Sequence, residues 1–458
     1  MRIIRTLVLA LATTSIVFTG AVSALGAGIS VEPAGVNPEA FEPASACGCH
    51  GTLVEDWQPS MHAQALSDPV YLAKLNEAEK ATDGKIGPFC KKCHGPGATM
   101  TGETAAGKER SDGTNEGVNC SFCHQVIGLK PGIVGNTSHL VDPSGVRRAQ
   151  IKDPKAPHAA EFSELHTTAE FCGGCHNVLH PVNGMHLEAT YKEWSESAYA
   201  KEGVTCQDCH MSIKPGVVGP SKGVAAPGAP DRDNIYQMTF VGANVSQGPA
   251  EASTALLKSA AEVKLEIPEI VAPGDTTSAT VTITNVAAGH YLPTGLTEVR
   301  EMWLEVTAAT VSGETTTFGT HVFGTILQDD KGNSPVELWE ATKIKSDDRI
   351  APRESVTYSY AFTMPEGATA TSVTAALLYK SVPDELAEKA GVENPVTQMA
   401  VASSAVYAND EAARQGAAPA ETPSDGGATP RWVWFVVAGV VAAIGVAVGA
   451  WWKLRSQG

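Results

Sequence analysis

The chain is poor in positive charge: 33 Lys and Arg stand against 50 Asp and Glu, a formal net charge of −17 over 458 residues. So acidic a surface repels polyanions, which argues against nucleic acid or anionic lipid as partners and suits a basic docking protein. No P-loop, dinucleotide fingerprint or serine–histidine–acid cluster is legible, so nucleotide-dependent transfer and triad hydrolysis have no support. Isolated cysteines are absent as well. The ten present fall in five close pairs, and none lies beyond Cys209. The C-terminal half must therefore hold its fold by its core alone, without disulfides.

The two ends read as export and anchoring segments. Arg2 and Arg5 precede an apolar run from Leu7 to Phe18 and small residues through Ala27, the order of a secretory signal over 1–27. Near the other end, Trp432 to Trp452 carries no charge, has tryptophans at both rims and is followed by Lys453 and Arg455. That pattern predicts a transmembrane helix over 431–453 and a cytoplasmic tail over 454–458. The body would then be exoplasmic, periplasmic or extracellular.

The cysteine pairs are Cys47/Cys49, Cys90/Cys93, Cys120/Cys123, Cys172/Cys175 and Cys206/Cys209, and each second cysteine is followed at once by His50, His94, His124, His176 or His210. Four read Cys-x-x-Cys-His, the attachment signature of c-type haem. Two thiols one helical turn apart can each form a thioether to a porphyrin vinyl group, and the adjacent imidazole becomes the proximal iron ligand. Disulfide scaffolds and zinc sites also use paired cysteines, but neither requires histidine as the next residue every time. The first pair, Cys47-Gly48-Cys49-His50, has one residue between its cysteines. Glycine there can let both sulfurs bond, only Cys49 can bond, or the site is empty. The expected cofactor is haem c, five in number.

Axial ligands decide what such groups do. An iron with both axial positions filled exchanges electrons, whereas one with an open position can bind a small molecule. Eight further histidines are available: His62, His139, His158, His166, His180, His186, His290 and His321.

The stretch from Trp57 to Met211 resembles the tetrahaem cytochrome family whose founding member serves hydroxylamine oxidoreductase. The residues that carry the likeness are WQPSMHAQA at 57–65, HAAEFSELHTTAEFCGGCH at 158–176 and HPVNGMHLEATYKEWSESAYAKEGVTCQDCHM at 180–211. The resemblance implies a compact, mostly helical body with closely stacked haems. It also implies distal ligation by His62, His158 and His166, with His139 and His180 next. Relatives tend to carry His-x-Phe-x-Gly after the last attachment site. Here Met238-Thr239-Phe240-Val241-Gly242 stands instead, so Met238 is a candidate thioether ligand or a packed methionine, and one iron is open if nothing replaces the histidine. A Gly-His-x-x-Pro-Thr-Gly stretch at 289–295 resembles C-terminal domains of exported multihaem cytochromes and implies that His290 reaches back as a distal ligand. His321 reads as structural.

From Ile213 to about Ser253 the chain is rich in Gly, Pro and Ala and lacks periodicity, which predicts a connector. Beyond it, short alternating segments such as Val263–Ile267, Thr277–Thr284, Met302–Thr307 and Ser355–Phe362 predict an antiparallel β-sandwich. Residues 408–430 have no apolar pattern and read as a flexible linker. The expected fold is α+β and multidomain: a mostly helical multihaem domain with little regular sheet (28–212), the connector (213–253), the sandwich (254–407), the linker and one transmembrane helix. The expected function is an electron relay between a membrane or cytochrome donor and an extracytoplasmic acceptor. Two alternatives stand beside it: an oxidoreductase with one open haem acting on a small nitrogen or sulfur compound, and a subunit of a cytochrome filament, so that oligomers are possible.

Overall fold

The structure is a computed structural model that describes residues 28–416. Alternation of apolar and hydroxylated residues builds its C-terminal half. Along Thr276–Asn285, Ala279, Val281 and Ile283 are fully buried, while Thr280, Thr282 and Thr284 face outward. These threonines meet Ser359, Thr357 and Ser355 of the strand Ser355–Thr363 in hydroxyl hydrogen bonds of 3.3, 3.0 and 2.8 Å, the cross-strand pairing that a solvated antiparallel face favours. With Ala261–Glu266 they form a three-stranded sheet. A four-stranded antiparallel sheet runs in the order Thr315–Phe323, Glu301–Thr310, Ala370–Lys380, Thr397–Tyr407. Met302, Leu304, Val306, Phe323 and Leu377 from the second sheet pack on Val281, Ile283 and Phe362 from the first in one core.

The N-terminal half corrects the expectation of a mostly helical body with little regular sheet. Among the described residues its longest helix is Pro69–Ala81, of 13 residues, and the helices Cys120–Cys123 and Cys206–His210 are single turns. Small sheets are threaded among them. Ile29–Ser30, His139–Val141 and Val126–Leu129 form one; Arg147–Ala149 and Ala160–Phe162 form a parallel pair; Val178–Leu179 with His186–Glu188, and Ser221–Gly223 with Arg232–Ile235, form antiparallel pairs. The reason is local. A Cys-x-x-Cys-His motif needs only one turn, so each helix stops near its histidine. The reversals that follow must satisfy their own backbone groups, which they do as two- to four-residue strands.

The expectation of a single-pass membrane anchor is also corrected. Among the described residues no helix is long and apolar enough to cross a membrane. The segments assigned to the signal (1–27) and the anchor (431–453) lie outside the described residues. Of the linker, 408–416 is described and includes a short helix, Asp410–Gln415.

The two halves are clasped together. Glu193 accepts hydrogen bonds from the Tyr291 backbone N–H (3.1 Å) and the Thr294 hydroxyl (2.7 Å) and forms an ion pair with Arg349, both side chains buried. Arg353 grips Glu202 through two nitrogens, each at 2.6 Å. Val70 of the long helix packs with Val299, Val382 and Leu386 of the sandwich half.

Candidate haem centres

Two of the attachment turns, those of Cys120 and Cys206, are fixed by side-chain caps. The Asn119 side chain accepts from Phe122 N–H (3.0 Å) and donates to Gly113 O (2.7 Å). Thr205 and Asp208 form a capping box ahead of Cys206, which satisfies two orphan backbone donors reciprocally. Pro88 sits in the first turn of Gly87–His94, where its missing N–H costs nothing. The Cys47/Cys49 pair lies on a 3₁₀ turn, Ala44–His50, with Cys47 off helical geometry.

The histidine after each pair is oriented through Nδ1. His50 bonds Ala225 O (2.7 Å), His94 Ala65 O (2.8 Å), His124 Arg148 O (2.7 Å) and His210 Val241 O (2.6 Å). Such a bond fixes the tautomer and leaves Nε2 free to ligate. His176 differs, since its Nδ1 meets the Glu188 carboxylate at 3.1 Å. Burial alone would lower the His176 imidazolium, but the Glu188 hydrogen bond and charge raise it to about 9. Ala225 and Val241 belong to the segment read as a connector, so that segment is part of the site.

Four of the five imidazoles face a second histidine. Ring centres are 6.3 Å apart for His50 and His158, 6.2 Å for His62 and His176, 5.9 Å for His124 and His166, and 6.2 Å for His210 and His290. Two imidazoles that bond one metal ion from opposite sides at about 2.0 Å, each ring centre roughly 1.1 Å behind its nitrogen, stand about 6.2 Å apart. The residues therefore fit haem c with histidine on both faces at four positions. Burial lowers the imidazolium of His62 to about 3 and that of His166 to about 3, which keeps these rings neutral, the form that binds metal.

His94 is the exception. Its ring stacks on Tyr71, centres 3.7 Å apart and planes within 7°, and no second histidine ring is among its aromatic contacts in the described residues. The Tyr71 hydroxyl is buried without a partner. Beside it lies a cavity of about 220 Å³ lined by Leu66, Tyr71, Leu75, Lys91, Thr104 and Arg110.

The other candidates sit elsewhere. His139 donates through Nε2 to Phe171 O (2.8 Å) and packs edge-on against Phe122 and Phe171. His180 accepts from the Val182 and Asn183 N–H groups at Nδ1, and its Nε2 is buried without a partner. Met238 is half-buried in the segment that delivers Val241. His321 stacks on Tyr358 in the sandwich.

The sulfurs of different pairs are neighbours. Cys47 lies near Cys120, Cys93 near Cys175, and Cys172 near Cys206. The attachment edges thus converge: the Cys172/Cys175 pair neighbours both the Cys90/Cys93 and the Cys206/Cys209 pairs. Tyr71 and Glu188, which carry much of this geometry, have no spacing signature in the sequence.

The sequence model of the family described as cytochrome c554 and c-prime matches residues 46–125. Among solved structures, a penta-heme cytochrome c552 from Thermochromatium tepidum is similar at 22% identity and TM-score 0.59, covering 81% of this chain and all of the other. The CARDB domain of the PF1109 protein from Pyrococcus furiosus covers 32% of this chain at 14% identity and TM-score 0.17, too slight a likeness to carry an argument. No curated protein sequence matches. Attachment motifs, paired imidazoles and the family match together define a c-type cytochrome, and one of the multihaem kind. Its business is electron transport with haem c. None of these likenesses speaks to hydroxylamine oxidoreductase as a partner.

Proposed function

We propose that the chain holds five haem c groups, one at each cysteine pair, and relays electrons between a donor and an acceptor redox protein. The observation that carries this reading is the set of four histidine pairs at 5.9–6.3 Å. Haem c bound there supplies one-electron exchange at iron. The paired imidazoles would hold the iron and leave no place for another ligand, and the neighbouring sulfurs would keep the attachment edges close. The count of five is supported by the fold shared with a penta-heme protein and by Cys47 standing beside Cys120. Intact mass and Soret absorption of protein co-produced with haem-ligation machinery test it. A colourless polypeptide of bare mass would end the proposal.

A second reading is favoured at one position only. His94 stacks on Tyr71 rather than meeting a second histidine, and Tyr71 lines a cavity to which Lys91 and Arg110 also contribute. There the chain could admit a small anionic nitrogen or sulfur oxide. Titration with carbon monoxide and nitrite separates the readings: no spectral change at any haem leaves a pure relay.

A further inference from the structure

Four of the five proximal imidazoles are held by peptide carbonyls, and one, His176, by a side-chain carboxylate. Glu188 reaches His176 Nδ1 at 3.1 Å, and the same oxygen accepts from the Thr190 hydroxyl at 3.3 Å. Thr190 is in turn 2.9 Å from Thr294 of the sandwich half. The short strand His186–Glu188, paired with Val178–Leu179 just after the attachment turn, sets this approach. Glu188 is therefore placed by both halves of the molecule, which a carboxylate on a mobile surface side chain is not.

We propose that Glu188 sets the redox potential of the haem held by His176 and keeps it the lowest of the four histidine-paired haems. The inference rests on the haem-binding reading above. An ionised acceptor makes a stronger hydrogen bond than a peptide carbonyl, and strengthening the bond at Nδ1 makes Nε2 a more basic ligand. A more basic ligand, with a negative charge beside it, favours ferric over ferrous iron, one of the levers by which proteins tune haem. The redox change is a single electron, taken from the donor protein and passed to the acceptor, with no bond made or broken. Position makes the tuning consequential. Cys175 neighbours Cys93, and Cys172 neighbours Cys206. An electron moving between the His210 end and the His94 site thus crosses the step that Glu188 sets.

The test is a spectroelectrochemical titration of the full chain carrying Glu188→Gln, with haem count fixed beforehand by intact mass. One midpoint rises by about tenfold in the one-electron equilibrium constant, 59 mV, and the others stay. Glu202→Gln, which removes an exposed carboxylate paired with Arg353, moves none. A fully loaded Glu188→Gln protein that titrates like the wild type overturns the inference and leaves the haem reading intact, whereas wild-type protein without haem sinks that reading first. The wild-type protein gives a second test that needs no Glu188 variant. Its His62–His176 low-spin signal, identified by its loss in His62→Ala, is the last of the paired set to disappear on reduction. Its disappearance ahead of any other paired signal overturns the inference.

Discussion

His290 faces His210 with ring centres 6.2 Å apart and planes 16° from parallel, yet the two residues belong to opposite halves of the molecule. Asn285, fully buried at the end of a sandwich strand, sets the approach. Its amide donates to His290 O at 2.9 Å and Ile350 O at 3.2 Å, and its carbonyl accepts from Ala288 N–H at 3.0 Å. Under the proposed function the sandwich is an axial-ligand donor.

His290→Ala is therefore expected to leave the haem count unchanged and convert one low-spin haem to high-spin. Electron paramagnetic resonance of the oxidised protein, together with carbon monoxide stoichiometry, reads the change. An unaltered low-spin count would remove His290 from the coordination scheme.

The clasp that seats this loop is the buried Arg349–Glu193 pair, with Arg349 also held by Asp347 at 2.8 Å and lying over the Tyr291 ring. Removing one partner of a buried pair leaves the other charge stranded, which costs about 3–5 kcal/mol. Arg349→Met should lower the thermal midpoint and give the His210 haem a high-spin fraction. A stable variant with an intact low-spin spectrum would separate the clasp from ligand delivery.

Glu298 gives a pH prediction. Burial pushes its carboxyl up to about 7, with Lys74 and Arg300 opposing only in part, and Oε1 has no hydrogen-bond partner. An unfolded glutamate ionises near 4.5, so between 4.5 and 7 the folded state holds a proton that the unfolded state has lost. Stability is full below about 4.5 and falls as pH rises towards 7, by roughly 3 kcal/mol in all. Urea unfolding at pH 5 and 8, followed by tryptophan fluorescence, should show the decline in the wild type and its absence in Glu298→Gln.

At His94, one haem per chain should bind carbon monoxide and the rest should not. Tyr71→Phe removes a buried hydroxyl that has no partner, so the fold should be as stable or up to about 1–3 kcal/mol more so. If that hydroxyl donates to an anion in the cavity, the same variant weakens nitrite binding about tenfold. Unchanged nitrite affinity would make Tyr71 a packing residue against the imidazole.

The parts legible in the sequence are those whose chemistry is local. Four Cys-x-x-Cys-His motifs spell out the attachment signature because both cysteines and the histidine lie within about one turn. Alternation marked Thr277–Thr284 and Ser355–Phe362, which lie within the strands Thr276–Asn285 and Ser355–Thr363. The short strands of the N-terminal half were missed because two or three residues have no measurable period. Distal pairing is a tertiary fact: nothing near His158 says that it will face His50 rather than His124. Tyr71 on His94 and Glu188 on His176 were invisible for the same reason. Each is an ordinary residue of an ordinary element until the fold closes.

The carbonyl of Ala225 that holds His50 lies 175 positions further along the chain. A ribosome must therefore finish four later cysteine pairs before the earliest one can be locked in its final geometry, and closing so long a loop is entropically slow. The opening segment thus waits, unsecured, until about half of the chain has been made, which leaves Cys47 and Cys49 open to proteases and stray oxidation in the meantime.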